Sequence, residues 1–112
     1  MNKNIIKYTN IWYNYVSLDH HKDRDCHFYV EGSYSYGKPP VYNAYHHGYI
    51  MGDWAGPIRN TIAEAEKDLE DKLRNEINSA ILDLEERVNS KDEEYLIYQE
   101  EYMQQLKVLK GE

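Results

Sequence analysis

The sequence predicts an α+β fold in which an antiparallel sheet of about three strands precedes a long helix and a second, C-terminal helix. Residues 1–56 hold nine of the twelve tyrosines, both tryptophans and five of the six glycines, which are common in strands and turns. Residues 57–112 are rich in Glu, Leu, Lys, Asp and Ile, as helices are. Because 112 residues match the size of one domain, we expect a single domain with an aromatic β half and an acidic αα half.

Residues 5–18 form the first predicted strand. The segment is rich in β-branched and aromatic residues, and its apolar side chains recur on one face at the period of a strand. Those side chains are Ile6, Tyr8, Trp12, Val16 and Leu18. A polar, charged break follows over residues 19–25.

A β-hairpin over residues 26–51 supplies the other two strands. Residues 26–36 and 41–51 flank Gly37-Lys38-Pro39-Pro40, a turn by composition because glycine permits a positive φ and proline cannot continue a strand ladder. In the first of these strands Phe28 and Val30 share one face, and His27, Tyr29 and Glu31 share the other.

The predicted long helix extends from Pro57, which suits a first helical turn, to Val88. Its apolar residues follow an eleven-residue repeat, which keeps an apolar stripe nearly straight along a helix. They are Ile58, Ile62, Ala65, Leu69, Leu73, Ile77, Ala80, Leu84 and Val88. Ser90 and Glu93 have the spacing of a capping box, so a second helix is expected from there to about Lys110.

The length of the first helix suggests a homodimer. At 1.5 Å per residue the helix would extend roughly 50 Å, whereas strands of this length would cover perhaps 35 Å of it. Part of the apolar stripe would then stay uncovered in one chain, and pairing with a second copy through the long helix would bury it.

Composition excludes several classes of function. No apolar run approaches the ~18 residues of a membrane span, and the first residues lack the apolar core of a signal peptide. The single cysteine, Cys26, suits a reducing compartment, so we expect a cytoplasmic protein. The formal charge is −7 and lies in residues 57–112, which argues against direct nucleic-acid binding.

The histidines are the candidate catalytic residues. Histidine transfers protons near neutral pH, and a carboxylate can orient it. If the hairpin turn is centred near Lys38, Glu31 and His46 lie opposite each other, and His47 and Tyr45 share the other face with Tyr29. The candidate residues are therefore His27, Glu31, His46 and His47. His and Asp residues between positions 19 and 27 resemble metal ligands, but their spacing matches no closed ligand pattern. We therefore predict neither a metal site nor a cofactor.

The aromatic and acidic residues are the candidate partner-binding residues. Exposed Tyr and Trp side chains are favoured anchors at protein interfaces, and carboxylates complement a basic partner. The predicted set is Tyr34, Tyr36, Tyr45, Tyr49 and Trp54 from the β half, with Glu70 and Asp71 from the long helix.

A small, acidic chain rich in Tyr and Asn resembles, in general kind only, the small early proteins of phages of low-GC bacteria, which include counter-defence inhibitors such as anti-CRISPR proteins. The resemblance transfers no site. With no catalytic motif in the chain, the leading hypothesis is a non-enzymatic binding protein that blocks a host nucleic-acid-directed enzyme through protein–protein contact. The alternative is a small His-dependent enzyme, such as a phosphodiesterase, or a nucleotide-binding protein.

Overall fold

The computed structural model describes residues 2–18, 27–48 and 52–111, and places the helices and a small sheet around one long helix. The elements follow one another along the chain as α1 (Lys3–Ser17), β1 (His27–Ser33), β2 (Val41–His47), β3 (Trp54–Ala55), α2 (Ile62–Asn89), α3 (Glu93–Leu96) and α4 (Gln99–Leu109). The molecule is elongated, with principal extents of 62 × 22 × 18 Å. None of the helices in the described ranges is long and apolar enough to cross a membrane.

The three strands form an antiparallel sheet in the order β1-β2-β3. The predicted hairpin is confirmed: Phe28 pairs with His46 and Tyr29 pairs with Tyr45. Its turn is closed by Lys38 N donating to the Ser35 carbonyl at 3.1 Å, and Gly37 takes the positive φ of 73°. The predicted α+β class, with the sheet preceding a long helix and a C-terminal helix, is therefore confirmed.

The prediction of a strand over residues 5–18 is wrong, because this segment is helix α1. The Asn2 side chain caps the helix by accepting from Ile5 N at 2.8 Å. Ile5, Trp12 and Val16 are buried, and their spacing of seven and four residues is helical. The third strand of the sheet is instead the short β3, whose Ala55 pairs with Tyr45.

Helix α2 begins at Ile62, five residues after the predicted start. Thr61 caps it by accepting from Glu64 N at 3.2 Å and donating to Glu64 Oε1 at 2.8 Å. The chain before the cap is held extended, since Arg59 exchanges two backbone hydrogen bonds with Tyr42 at 2.7 and 2.8 Å. Pro57 therefore lies in a connection that borders the sheet.

Most of the apolar stripe of α2 is covered within the chain, whereas Ile62 at its start is 50% exposed. Its most buried apolar residues are Ala65, Leu69, Leu73, Ile77 and Leu84, and α2 contacts α1, β1, β2 and α4. Because α1 is a helix, it covers a part of α2 that a sheet would have left open. The premise for the homodimer, an uncovered stripe on the long helix, is thus not met at these positions.

The C-terminal segment forms two helices where one was expected. Asp92, not Ser90, is the N-cap residue of α3, while Ser90 ends α2 and its Oγ accepts from Asp92 N at 3.2 Å. A turn at Ile97 and Tyr98 separates α3 from α4. Beyond it, α4 buries its own apolar face against α1 and α2.

Candidate functional site

The outer face of the sheet carries three adjacent aromatic rings. Strand alternation places Tyr29, Tyr45 and His47 on this face. The Tyr29 and Tyr45 rings are stacked with centroids 5.3 Å apart, and His47 lies 5.7 Å from Tyr29 and 6.3 Å from Tyr45. The predicted grouping of these three residues on one face agrees with this arrangement.

His47 links a tyrosine hydroxyl to a carboxylate. Its Nδ1 lies 3.1 Å from Asp53 Oδ1, and its Nε2 lies 2.9 Å from Tyr29 Oη. Because an ionised carboxylate can only accept, Nδ1 is the nitrogen that donates to Asp53, and in the corresponding neutral tautomer Nε2 accepts from the Tyr29 hydroxyl. The His47 and Asp53 side chains are 45% and 80% exposed, so the chain of hydrogen bonds is open to solvent.

His46 lies on the opposite face of the sheet and is completely buried. Its Nδ1 lies 2.8 Å from the Gly52 carbonyl, and its ring centroid lies 4.4 Å from that of Phe28. His46 and His47 therefore lie on opposite faces, as successive strand residues do, and the four candidate residues do not form one cluster.

The two remaining members of the expected cluster, His27 and Glu31, are both exposed on β1. His27 pairs with His47 across the hairpin, so these two share a face, whereas Glu31 pairs with Asn43, away from His46. Asp53, which contacts His47, was absent from the expected set. Its only sequence signal was its position six residues after His47, across a connection whose path the sequence does not define.

Two of the predicted partner-binding tyrosines are exposed at the hairpin tip, which we define as residues 34–40. Tyr34 is 76% exposed and Tyr36 is fully exposed. The ring of Tyr34 lies over Gly32, where an added Cβ would be 3.2 Å from the Tyr34 hydroxyl oxygen. The glycine therefore gives this ring room to lie along the strand.

The other predicted aromatic anchors are less available. Tyr45 and Trp54 are half-buried, and the Trp54 ring lies against Gly56, under the Lys72 ammonium at 5.6 Å from its centroid. Trp54 thus serves to join β3 to α2. Tyr49 lies outside the described residues.

The predicted acidic contacts, Glu70 and Asp71, have partners within the chain. Glu70 is 8% exposed, and its Oε1 accepts from Asn4 Nδ2 at 2.6 Å, so it lies inside the molecule where the sequence indicated an outer face. Asp71 pairs with Lys67 at 3.1 Å and with Arg74 at 2.6 Å. Neither carboxylate is free to face a partner in this arrangement.

A bidentate ion pair fixes the connection before α2 to the helix. Arg59 donates from Nε and Nη2 to the two carboxylate oxygens of Asp68 at 2.8 and 2.9 Å. These hydrogen bonds, together with the negative charge of Asp68, raise the pKa of Arg59 above its ordinary value. The base of the hairpin tip is thereby tied to the first turns of α2.

Over residues 2–18, 27–48 and 52–111, no group of three or more His, Cys, Asp or Glu side chains is placed to hold a metal ion. Most of the residues from which a metal site was weighed, positions 19–26, lie outside the described part of the chain. Comparison with protein-family models, with curated proteins and with solved structures found no match to this chain.

Proposed function

We propose that this chain is a small, non-enzymatic, cytoplasmic binding protein that inhibits a host nucleic-acid-directed enzyme by protein–protein contact, as anti-CRISPR proteins do. The observation that carries the proposal is the pair of exposed tyrosines at the hairpin tip, Tyr34 and Tyr36. Large aromatic side chains left in solvent have no role in the stability of the core, and they are enriched among the residues that dominate binding energy.

The backbone of the hairpin tip is also held in a restricted geometry. The turn is closed by the hydrogen bond between Lys38 and Ser35, and Pro39 and Pro40 fix φ in the connection to β2. A contact surface that is ordered before binding loses less conformational entropy when it docks. The acidic composition of the helices supports the choice of partner, since enzymes that act on nucleic acids have basic surfaces.

Affinity capture tests this proposal. The tagged chain would be incubated with bacterial lysate at low and moderate salt, and a captured protein would be identified and assayed for its nucleic-acid-directed activity. We expect Tyr34→Ser/Tyr36→Ser to lose the captured protein, whereas Leu82→Ser, at a side chain 67% exposed on α2, retains it. The wild-type chain should inhibit the captured enzyme and the double variant should not.

Two outcomes would contradict the hairpin-tip proposal. One is the absence of any captured protein at both salt concentrations. The other is equal capture by the wild-type chain and the Tyr34→Ser/Tyr36→Ser variant, which would place the binding surface elsewhere. Because both tyrosines are exposed, circular dichroism should show the same fold for the two proteins.

The hydrogen-bonded set Tyr29, His47 and Asp53 supports a second candidate function, a His-dependent phosphodiesterase or nucleotide-binding protein. Asp53 would orient the imidazole, and His47 Nε2 would act as the general base once a substrate displaces the Tyr29 hydroxyl from it. The stacked rings of Tyr29 and Tyr45 would offer a surface for a nucleobase. General acid–base catalysis contributes about 10²–10⁴-fold, so His47→Ala should lower a rate by that range.

Hydrolysis of bis(p-nitrophenyl) phosphate and fluorescence titration with nucleotides test the second candidate. A rate that His47→Ala removes and Asp53→Asn reduces would support the enzyme. If the wild-type chain shows no hydrolysis above the buffer control and binds no nucleotide, both the phosphodiesterase and the nucleotide-binding protein are rejected.

A further inference from the structure

A second exposed surface lies at the far end of α2 from the hairpin tip. We name it the α3–α4 corner and define it as residues 92–101. It adjoins the end of α2, where Gln99 Nε2 donates to the Arg87 carbonyl at 3.3 Å. The hairpin tip instead lies next to the bridge between Tyr42 and Arg59, shortly before the start of α2. A helix of 28 residues is about 42 Å long, so the two surfaces are separate.

The α3–α4 corner exposes three consecutive large side chains. Leu96 is 51% exposed, Ile97 78% and Tyr98 46%. The backbone leaves the helical conformation at Tyr98, with φ −106° and ψ 16°, and the turn directs Ile97 away from the core formed by α1, α2 and α4. Neighbouring aliphatic side chains in solvent are typical of a surface that another molecule covers.

Carboxylates flank these apolar side chains on both sides. Residues 92–101 contain no Lys or Arg, and their five acidic residues are all exposed: Asp92, Glu93, Glu94, Glu100 and Glu101. Within the described ranges, none of the five forms an ion pair, whereas six acidic residues of α2 do so: Asp68, Glu70, Asp71, Glu76, Asp83 and Glu85.

Two cations border the corner, Arg87 and the exposed Lys91, and within the described ranges neither forms an ion pair with its carboxylates. Arg87 pairs with Asp83 at 3.2 Å and lies over the rings of Tyr95 and Tyr102, 5.9 and 5.6 Å from their centroids. The charge of Arg87 therefore faces Asp83 of α2 and the rings of Tyr95 in α3 and Tyr102 in α4. The unpaired negative charge of the helical half is concentrated at the corner.

We propose that the α3–α4 corner docks on a basic protein surface, with Leu96 and Ile97 in an apolar hollow and the carboxylates facing Lys and Arg side chains around it. This inference rests on the proposed function and names the chemistry of its partner. An apolar centre with a polar rim is the usual anatomy of an interface, and complementary charge speeds and selects the encounter. A second copy does not fit, because it would oppose carboxylates with carboxylates.

A peptide titration followed by ¹⁵N NMR tests the corner directly. The probe is a synthetic amphipathic helical peptide in which a stripe of Leu is flanked on both sides by Lys and Arg, added to the full chain. We expect shift changes centred on residues 92–101 and an affinity that falls as salt is raised. Leu96→Ser/Ile97→Ser and Glu93→Gln/Glu94→Gln should each weaken binding about tenfold.

Glu64→Gln/Glu66→Gln is the matched control, because it also removes two negative charges, but at the other end of α2. Gln at position 64 can still accept from Thr61, so the capping of α2 is retained. We expect this control variant to bind the peptide as the wild-type chain does. Spectra of the free variants check that each is folded.

Three results would overturn the proposal. They are equal weakening by the two charge variants, shift changes centred away from residues 92–101, and a dimer of the free chain in which those residues form the contact. The Tyr34→Ser/Tyr36→Ser protein keeps the two proposals separate. If this double variant binds the peptide at the corner and still captures the same lysate protein, the hairpin-tip proposal fails and the corner proposal stands. If the double variant loses the captured protein and the wild-type chain does not bind the peptide, the corner proposal fails and the hairpin-tip proposal stands.

Discussion

At the scale of the residue, neighbouring histidines on β2 have different roles. His46 is buried against Phe28 and bonds the Gly52 carbonyl, whereas His47 lies on the outer face between Tyr29 and Asp53. Strand alternation predicts from the sequence that the two face opposite sides. It does not predict which face the helices cover, because that depends on how α1 and α2 pack on the sheet.

We expect His46→Ala to destabilise the fold strongly. Removing a completely buried ring leaves a cavity and an unsatisfied carbonyl at Gly52, and such changes cost about 2–4 kcal/mol. His47→Ala loses partly exposed contacts and should cost less than about 1 kcal/mol. Urea denaturation followed by circular dichroism measures both. Equal losses for the two variants would contradict the assignment of opposite faces.

Glu70 shows the same limit of sequence information for a charged residue. Its position in an acidic helix indicates a solvated face, yet it is 8% exposed and bonded to Asn4 of α1. The contact joins residues 66 positions apart. Neither the residues near position 70 nor the predicted strand over residues 5–18 indicates this contact with Asn4.

At the scale of the element, the hairpin was predictable and α1 was not. The hairpin is defined by a local turn between alternating segments, and its pairing follows from that turn. Residues 5–18 have a composition typical of strands, but Ile5, Trp12 and Val16 also fit a helical stripe. Asn2 as the N-cap and burial against α2 and α4 favour the helix.

Substitution of two adjacent isoleucines distinguishes a helix from a strand in this segment. Ile5 is completely buried and Ile6 is 52% exposed, whereas the strand prediction placed Ile6 on the apolar face. Ile5→Ala should cost about 2–5 kcal/mol, and Ile6→Ala less than about 1 kcal/mol. Chemical denaturation gives both values, and a larger loss for Ile6→Ala would argue against α1.

The start of α2 is tested by its cap. Thr61→Ala removes the acceptor for Glu64 N and should lower the free energy of unfolding by about 1 kcal/mol. Thr61→Ser keeps the hydroxyl and should leave stability nearly unchanged. If α2 began at Pro57, as the sequence indicated, residue 61 would be inside the helix, and Ala would be the better residue there.

At the scale of the whole molecule, the charge has a location that composition alone does not reveal. The sequence places the net charge of −7 in residues 57–112. The structure pairs six acidic residues of α2 with Lys or Arg, and it leaves the α3–α4 corner without such pairs in the described part of the chain. The sequence therefore predicts that residues 57–112 are acidic, but it does not predict that the unpaired carboxylates lie at the α3–α4 corner. The formation of ion pairs depends on which helix faces meet.

The shape of the chain leads to the last prediction, which concerns its mass and size in solution. A compact domain of this length has a radius of gyration of about 13 Å, whereas the structure has 16.8 Å because the hairpin tip and the α3–α4 corner lie at opposite ends of α2. Leu69, Leu73, Ile77 and Leu84 are buried within one chain, whereas Ile58 and Ile62 at the start of the stripe that suggested a homodimer are 69% and 50% exposed. We expect the buried part to be sufficient for a monomer. Light scattering should give the mass of one chain, 13.4 kDa, and X-ray scattering should give a radius near 17 Å for that mass. Twice the mass would show that another surface pairs the chains, and the radius of that dimer would indicate whether the hairpin tip or the α3–α4 corner is covered.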